Sequence, residues 1–236
     1  MTKEEKLLNK KRKKELKEEK RVRLGLPKYT LGEELVNSIS HGLGAAFGIV
    51  ALILCVVFGA FRGDAWRVVS GALYGSSMIV LYTISTLYHA LGINRAKKVF
   101  RTLDHCSIYF LIAGTYTPYT LVSMRETSGL LIFGVVWAAA ILGITLSAIN
   151  VHKFRIVSMI IYIAMGWAII FSIKDLIATV ATPGTILLLV GGVLYTIGAV
   201  LYGIGKKKRY VHSIFHIFAL GGSICHFISV FAYVII

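Results

Sequence analysis

Seven stretches of the chain are long, continuous and apolar, at roughly 38–61, 67–91, 106–124, 129–150, 156–173, 183–204 and 211–236. Each approaches the 20 or so residues that a helix needs to cross a bilayer core. None shows the apolar–polar alternation of barrel strands about 10 residues long. The pattern predicts an all-α membrane protein, a bundle of seven transmembrane helices. Connections between the runs are short, so consecutive helices are expected to be antiparallel neighbours. Residues 28–236 read as one transmembrane domain and residues 1–27 as a basic arm outside it. No internal repeat or low-complexity linker interrupts this plan.

The polar positions between the runs set an orientation. Arg95, Lys97, Lys98, Arg101, Lys153, Arg155, Lys206, Lys207, Lys208 and Arg209 fall on one side, ten in all. Arg62, Arg67, Arg125 and Lys174 fall on the other, mixed with Asp64, Glu126 and Asp175. The positive-inside rule then predicts a cytoplasmic N-terminus and an outer C-terminus in a multi-pass cell-membrane protein. Residues 1–30 add 12 Lys/Arg against Glu4, Glu5, Glu15, Glu18 and Glu19, a local charge of 12 − 5 = +7. This arm reads as a solvated helix or a disordered tail, with anionic lipids of the inner leaflet as its candidate partner. It has no apolar core or small-residue cleavage site and does not read as a signal peptide. After Pro27, Thr30 and Glu33 form a possible capping box, which would set Glu33, Glu34 and Asn37 at the inner interface.

Composition agrees with this reading. The 236 residues are 56% hydrophobic and 16% charged, with a mean hydropathy of +0.74. Soluble domains are about 45–50% apolar and about 25% charged. A disordered chain, a disulfide-rich secreted domain and a water-soluble enzyme are excluded. The net charge of +15 raises the question of nucleic acid. Apart from the arm, that charge is spread over membrane edges, with no basic module left over, so no nucleic-acid partner is expected. Cys55, Cys106 and Cys225 lie in or beside apolar runs without a CxxC pair and read as free thiols.

Ionisable groups inside spans are costly and mark functional sites. The predicted topology brings His89, Asp104, His105, His212 and His216 to one membrane depth, with His41 at a similar level. His212 and His216 are spaced i,i+4, which puts both imidazoles on one helix face. Two such rings can ligate one ion, and a third histidine completes the three-ligand arrangement used for catalytic zinc. His89 is the best third ligand, and Ser85 precedes it by one helical turn. Asp104 is a further ligand, directly or through water, or a general base. Ser85 is a supporting or oxyanion partner. The alternative is that these histidines bridge lipid and water at span ends. His226 lies about 15 Å deeper than His216 and is expected to hydrogen-bond between helices instead. His152 reads as solvated, Pro118 as a kink, and Gly191–Gly192 and Gly221–Gly222 as sites of close helix packing.

Four segments stand out together: EELVNSISHGLG at 33–44, STLYH at 85–89, LDHCSIYFLIAGTYTPY at 103–119 and HSIFH at 212–216. In this order, on seven apolar spans, they closely resemble the hemolysin III family, the bacterial branch of the progestin and adipoQ receptor superfamily. The resemblance covers nearly everything after residue 28. It implies a zinc ion near the cytoplasmic face held by His89, His212 and His216, with Asp104 linked to it through water. It also implies ceramidase-like hydrolysis of a lipid amide or ester, with membrane lipids as the substrate pool. Two other readings stay open: a hemolysin-type pore-forming or membrane-stress protein without catalysis, and a lipid-sensing protein with structural zinc. Glu34, Asn37, Ser40 and His41 also match the bacterial pattern, which does not assign their roles.

Overall fold

A computed structural model describes residues 2–204 and 208–236. Lys206 and Lys207, expected in an inner connection, lie outside the described residues. Among the described residues there is no strand. Helix α1 (Lys3–Arg23) is followed by α2 (Leu31–Phe61), α3 (Ala65–Ala90), α4 (Arg95–Pro118), α5 (Gly129–Asn150), α6 (Arg155–Gly166), α7 (Ile173–Thr179), α8 (Thr182–Ile204) and α9 (Val211–Val230). Among the described residues, six helical segments are long and apolar enough to cross a membrane: Leu31–Phe61, Ala65–Ala90, Gly129–Asn150, Arg155–Thr179, Thr182–Gly203 and Val211–Ile235. The stretch expected as the third span falls in the apolar second half of α4. That helix opens with Arg95, Lys97, Lys98, Arg101 and Asp104, and at Pro118 it gives way to a π turn over Tyr119–Ser123.

The local sequence explains where helices start and stop. Thr30 and Glu33 close a capping box, so α2 begins at Leu31, before its apolar run. Helix α1 is likewise boxed by Thr2 and Glu5, and none of its residues is buried. It ends at Gly25, whose φ of +65° suits glycine. There Gly25 N–H donates to Val22 O and Leu26 N–H to Arg21 O, the paired bonds of a Schellman cap.

Helices α2 and α3 pack as the most intimate pair because small residues line their shared face. Gly44, Gly48, Ala51, Cys55 and Gly59 recur every three to four residues on α2 and are buried. Opposite them, a Cβ on Gly75 would stand 2.5 Å from Leu52 Cα, and one on Gly71 2.8 Å from Cys55 Cβ. Helices α8 and α9 meet in the same way at Gly191 and Gly222, each of which would bring a Cβ within 3.1 Å of the other's carbonyl oxygen. Gly192 and Gly221 have only ordinary contacts, at 3.6 Å or more.

The span between α6 and α7 is broken at Trp167 into a short 3-10 turn, Ala168–Ser172. Its freed backbone groups are taken over by one side chain. The Tyr116 hydroxyl donates to Gly166 O at 3.1 Å and accepts from Ile169 N–H at 2.9 Å. A side chain inserted into the helical ladder is a recognised cause of such a break.

Candidate metal centre

Three helices deliver the site. His89 ends α3, and His212 and His216 occupy the first turns of α9. The close α2–α3 hairpin also brings the start of α2 beside the end of α3. As a result Glu34 Oε2 accepts from His89 Nδ1–H at 2.7 Å. The same carboxylate, through Oε1, accepts from Lys97 Nζ at 2.8 Å, and Lys97 in turn donates to Tyr88 O and Leu91 O at 2.9 Å. The Asn37 amide stands 3.4 Å from the same His89 nitrogen. With its proton held on Nδ1, His89 turns the lone pair of Nε2 inward, where that buried atom has no partner among the described residues.

On α9, His212 Nε2 and His216 Nε2 are 3.1 Å apart. Two nitrogens sharing a tetrahedral ion at about 2.0–2.1 Å would be about 3.3 Å apart. One ligand atom from each of His89, His212 and His216 falls within 4.8 Å of the others, and all three residues are buried. A buried polar atom left without a partner costs about 1–3 kcal/mol. An ion among the three rings answers that cost for His89, so the residues present fit a metal.

Other aromatic groups enclose the rings. Tyr29 stacks on His212, with centroids 5.1 Å apart, and tilts against His89 at 5.6 Å. His41 stacks on His216 at 3.7 Å, and both its nitrogens are buried without a hydrogen-bond partner among the described residues. Tyr210, immediately before α9, sits in the left-handed region at φ 61°. Its N–H donates to Glu33 Oε1 at 2.9 Å, which pins the start of α9 to the start of α2.

Away from Tyr29, His212 and His216 face a cavity of about 170 Å³, which His89 does not line. That is more than ten times what one water needs. Its walls are mostly apolar, including Leu81, Ile108, Leu111, Ile112, Leu188 and Phe215, and its polar end carries His41, Ser85, Asp104, His212 and His216. Ser85 Oγ is buried beside the Asp104 carboxylate. His105 is occupied elsewhere, bonding Arg101 O and the Tyr202 hydroxyl at 2.9 Å each. His226 donates across to Leu188 O of α8 at 3.0 Å, the interhelical bond expected of it. Cys106 contacts Ile144 O and is absent from the metal-competent group. Exposed His152 accepts from Arg101 at 2.6 Å.

The fold and site define a multi-pass helical membrane protein with a buried three-histidine cluster that could hold a metal ion above an apolar cavity. Comparison with known proteins makes the assignment specific. The chain belongs to the haemolysin-III-related family, whose model matches residues 29–227. It is 40% identical to the Hemolysin-3 homolog of Bacillus subtilis (strain 168) over 205 residues, covering 87% of this chain and 96% of that protein. It is 42% identical to Hemolysin-3 of Bacillus cereus over 203 residues, or 86% and 92% of the two chains. A more distant relative, the human monocyte to macrophage differentiation factor, is 25% identical over 222 residues, covering 89% of this chain and 87% of that one.

Proposed function

We propose that the protein is a zinc-dependent hydrolase of an amide or ester bond in a membrane lipid. The observation that carries this reading is the convergence of three buried imidazoles, one with an orphaned lone pair, two of which stand at the polar end of an apolar cavity that Asp104 and Ser85 also line. When bound, zinc would supply a Lewis acid and lower the pKa of a water to about 7. His89, His212 and His216 would hold the ion. Glu34, itself held by Lys97, fixes the His89 tautomer that makes Nε2 a ligand. Asp104 accepts the proton of the attacking water, and the Ser85 hydroxyl donates to the oxygen that gains charge at the carbonyl. The apolar walls bind the acyl chain and exclude bulk water.

The same reading takes α4 with its π turn as a seventh span. The cluster then lies near the cytoplasmic face, and the N-terminus is cytoplasmic by the charge count. Asp104 and the apolar second half of α4 line the cavity together with α3, α8 and α9, which supports placing α4 among the spans. The names of the bacterial relatives point to lysis, but mostly apolar walls suit an acyl chain better than a water-filled passage.

The test compares wild type with Asp104→Asn and His89→Ala in detergent. Metal content is read by mass spectrometry, and turnover on a panel of lipid amides and esters. Wild type is expected to hold about one zinc per chain. Asp104→Asn should keep that zinc and the thermal midpoint while losing turnover, and His89→Ala should lose the metal. Undiminished turnover in Asp104→Asn removes the base role. A folded wild type that takes up no zinc removes the hydrolase.

A further inference from the structure

The family match starts after α1, and the metal centre makes no use of that helix. Helix α1 is fully helical over 21 residues, about 32 Å long at 1.5 Å per residue, and buries nothing. Its charges are sorted by face. At 100° per residue, Lys3, Lys6, Lys10, Lys13, Lys14, Lys17 and Lys20 fall within an arc of about 120° that contains no acid. Glu4, Glu5, Glu15, Glu18 and Glu19 all lie on the opposite side, together with Lys11, Arg12 and Arg23. The seven stripe lysines are all exposed. Neighbouring lysines along the stripe are like charges at i,i+3 or i,i+4, an arrangement that works against an isolated helix. An anionic partner on that face removes the penalty.

The root of the helix is held against the bundle. Arg21, paired with Glu18 at 2.6 Å, donates to Leu26 O at 2.6 Å. Arg101 of α4 donates to Gly25 O at the same distance, and Leu26 is buried. Helix α2, a membrane-spanning candidate, begins five residues after Leu26. The stripe is therefore tethered at the end of the bundle, next to a bilayer surface.

We propose that α1 lies on an anionic phospholipid surface, lysine stripe down, as a peripheral helix tied to the bundle through Gly25 and Arg101. A flat surface meets one side of a helix, as the stripe requires. A nucleic-acid groove would bring phosphates to both flanks, where Glu15, Glu18 and Glu19 repel them. Each lysine near an anionic bilayer contributes about a five-fold change in affinity at low salt.

The experiment uses the full chain in nanodiscs, which leave both faces open, at pH 7.5. Thermolysin cuts the arm at exposed Leu7, Leu8 and Leu16. Cleavage should be at least about ten-fold slower in discs containing phosphatidylglycerol than in phosphatidylcholine discs, and 1 M salt should abolish the difference. The triple variant Lys6→Gln/Lys10→Gln/Lys17→Gln should lose the protection. Lys11→Gln/Arg12→Gln/Arg23→Gln, with the same change in charge, should keep it. Unchanged thermal midpoints of both variants establish that the bundle is intact. Equal cleavage in the two lipids overturns the proposal, as does equal loss in the two variants. Stronger protection by duplex RNA in phosphatidylcholine discs than by phosphatidylglycerol overturns it in favour of a nucleic-acid partner.

Discussion

The proton on His89 Nδ1 decides which of its nitrogens an ion can use. Glu34 holds that proton at 2.7 Å and is itself held by Lys97 at 2.8 Å. Removing the negative charge while keeping the shape leaves the ring free to choose either tautomer. Glu34→Gln is expected to weaken zinc affinity by about 10–100-fold, measured by competition with a chromophoric chelator, with little loss of helicity by circular dichroism. The carboxylate's place in the first turn of α2 was legible in the sequence, through the capping box that starts that helix. Its pairing with His89 was not, because that depends on how closely two helices approach. The i,i+4 pair on α9 was legible outright, since periodicity alone sets both rings on one face. Spacing sets His41 near the start of its apolar run, but its stacking on His216 is a matter of packing that no spacing reveals.

Close approach of α2 and α3 is what carries Glu34 to His89, and it depends on residues without side chains. A methyl group on Gly75 would meet backbone atoms of Leu52, at 2.5 Å from Cα and 2.9 Å from N, and backbone cannot swing aside. Gly75→Ala is expected to cost about 1–3 kcal/mol, seen as a lower thermal midpoint in detergent. Gly134→Ala, with nothing within 4 Å of its new methyl, should leave the midpoint unchanged. A second elemental contact is acid-sensitive. His152 accepts from Arg101, which also holds Gly25 O. Partial burial, and then the charge of Arg101, lower the His152 pKa below its ordinary value of 6.5. The contact is therefore fully present above about pH 6.5 and is lost as pH falls through the lowered value. Amide exchange at Gly25 and Leu26, corrected for the intrinsic chemical rate, should accelerate on that descent in wild type. In His152→Gln it should not.

For the whole molecule, length and hydropathy foretold a helical membrane bundle, while its interruptions came from tertiary contacts. The break at Trp167 follows Gly166, but an isolated glycine does not by itself end a helix; Tyr116, on another helix, stabilises the break. Pro118 did mark the change in α4, in the form of a π turn.

Tyr29, stacked over His212 on one side with the apolar cavity on the other, has a kinetic consequence. An ion that passes Tyr29 displaces an aromatic ring, and one that passes through the cavity crosses a hydrocarbon-like space. A multiply charged chelator such as EDTA is poorly suited to either route, whereas neutral 1,10-phenanthroline can take the second. Zinc-loaded protein should keep its metal for hours in excess EDTA and lose it within minutes to phenanthroline. Tyr29→Ala should close most of that gap in rate, as followed by metal analysis after rapid desalting. Resistance to EDTA in this protein would then report a barrier to traffic and say little about how tightly the ion is held.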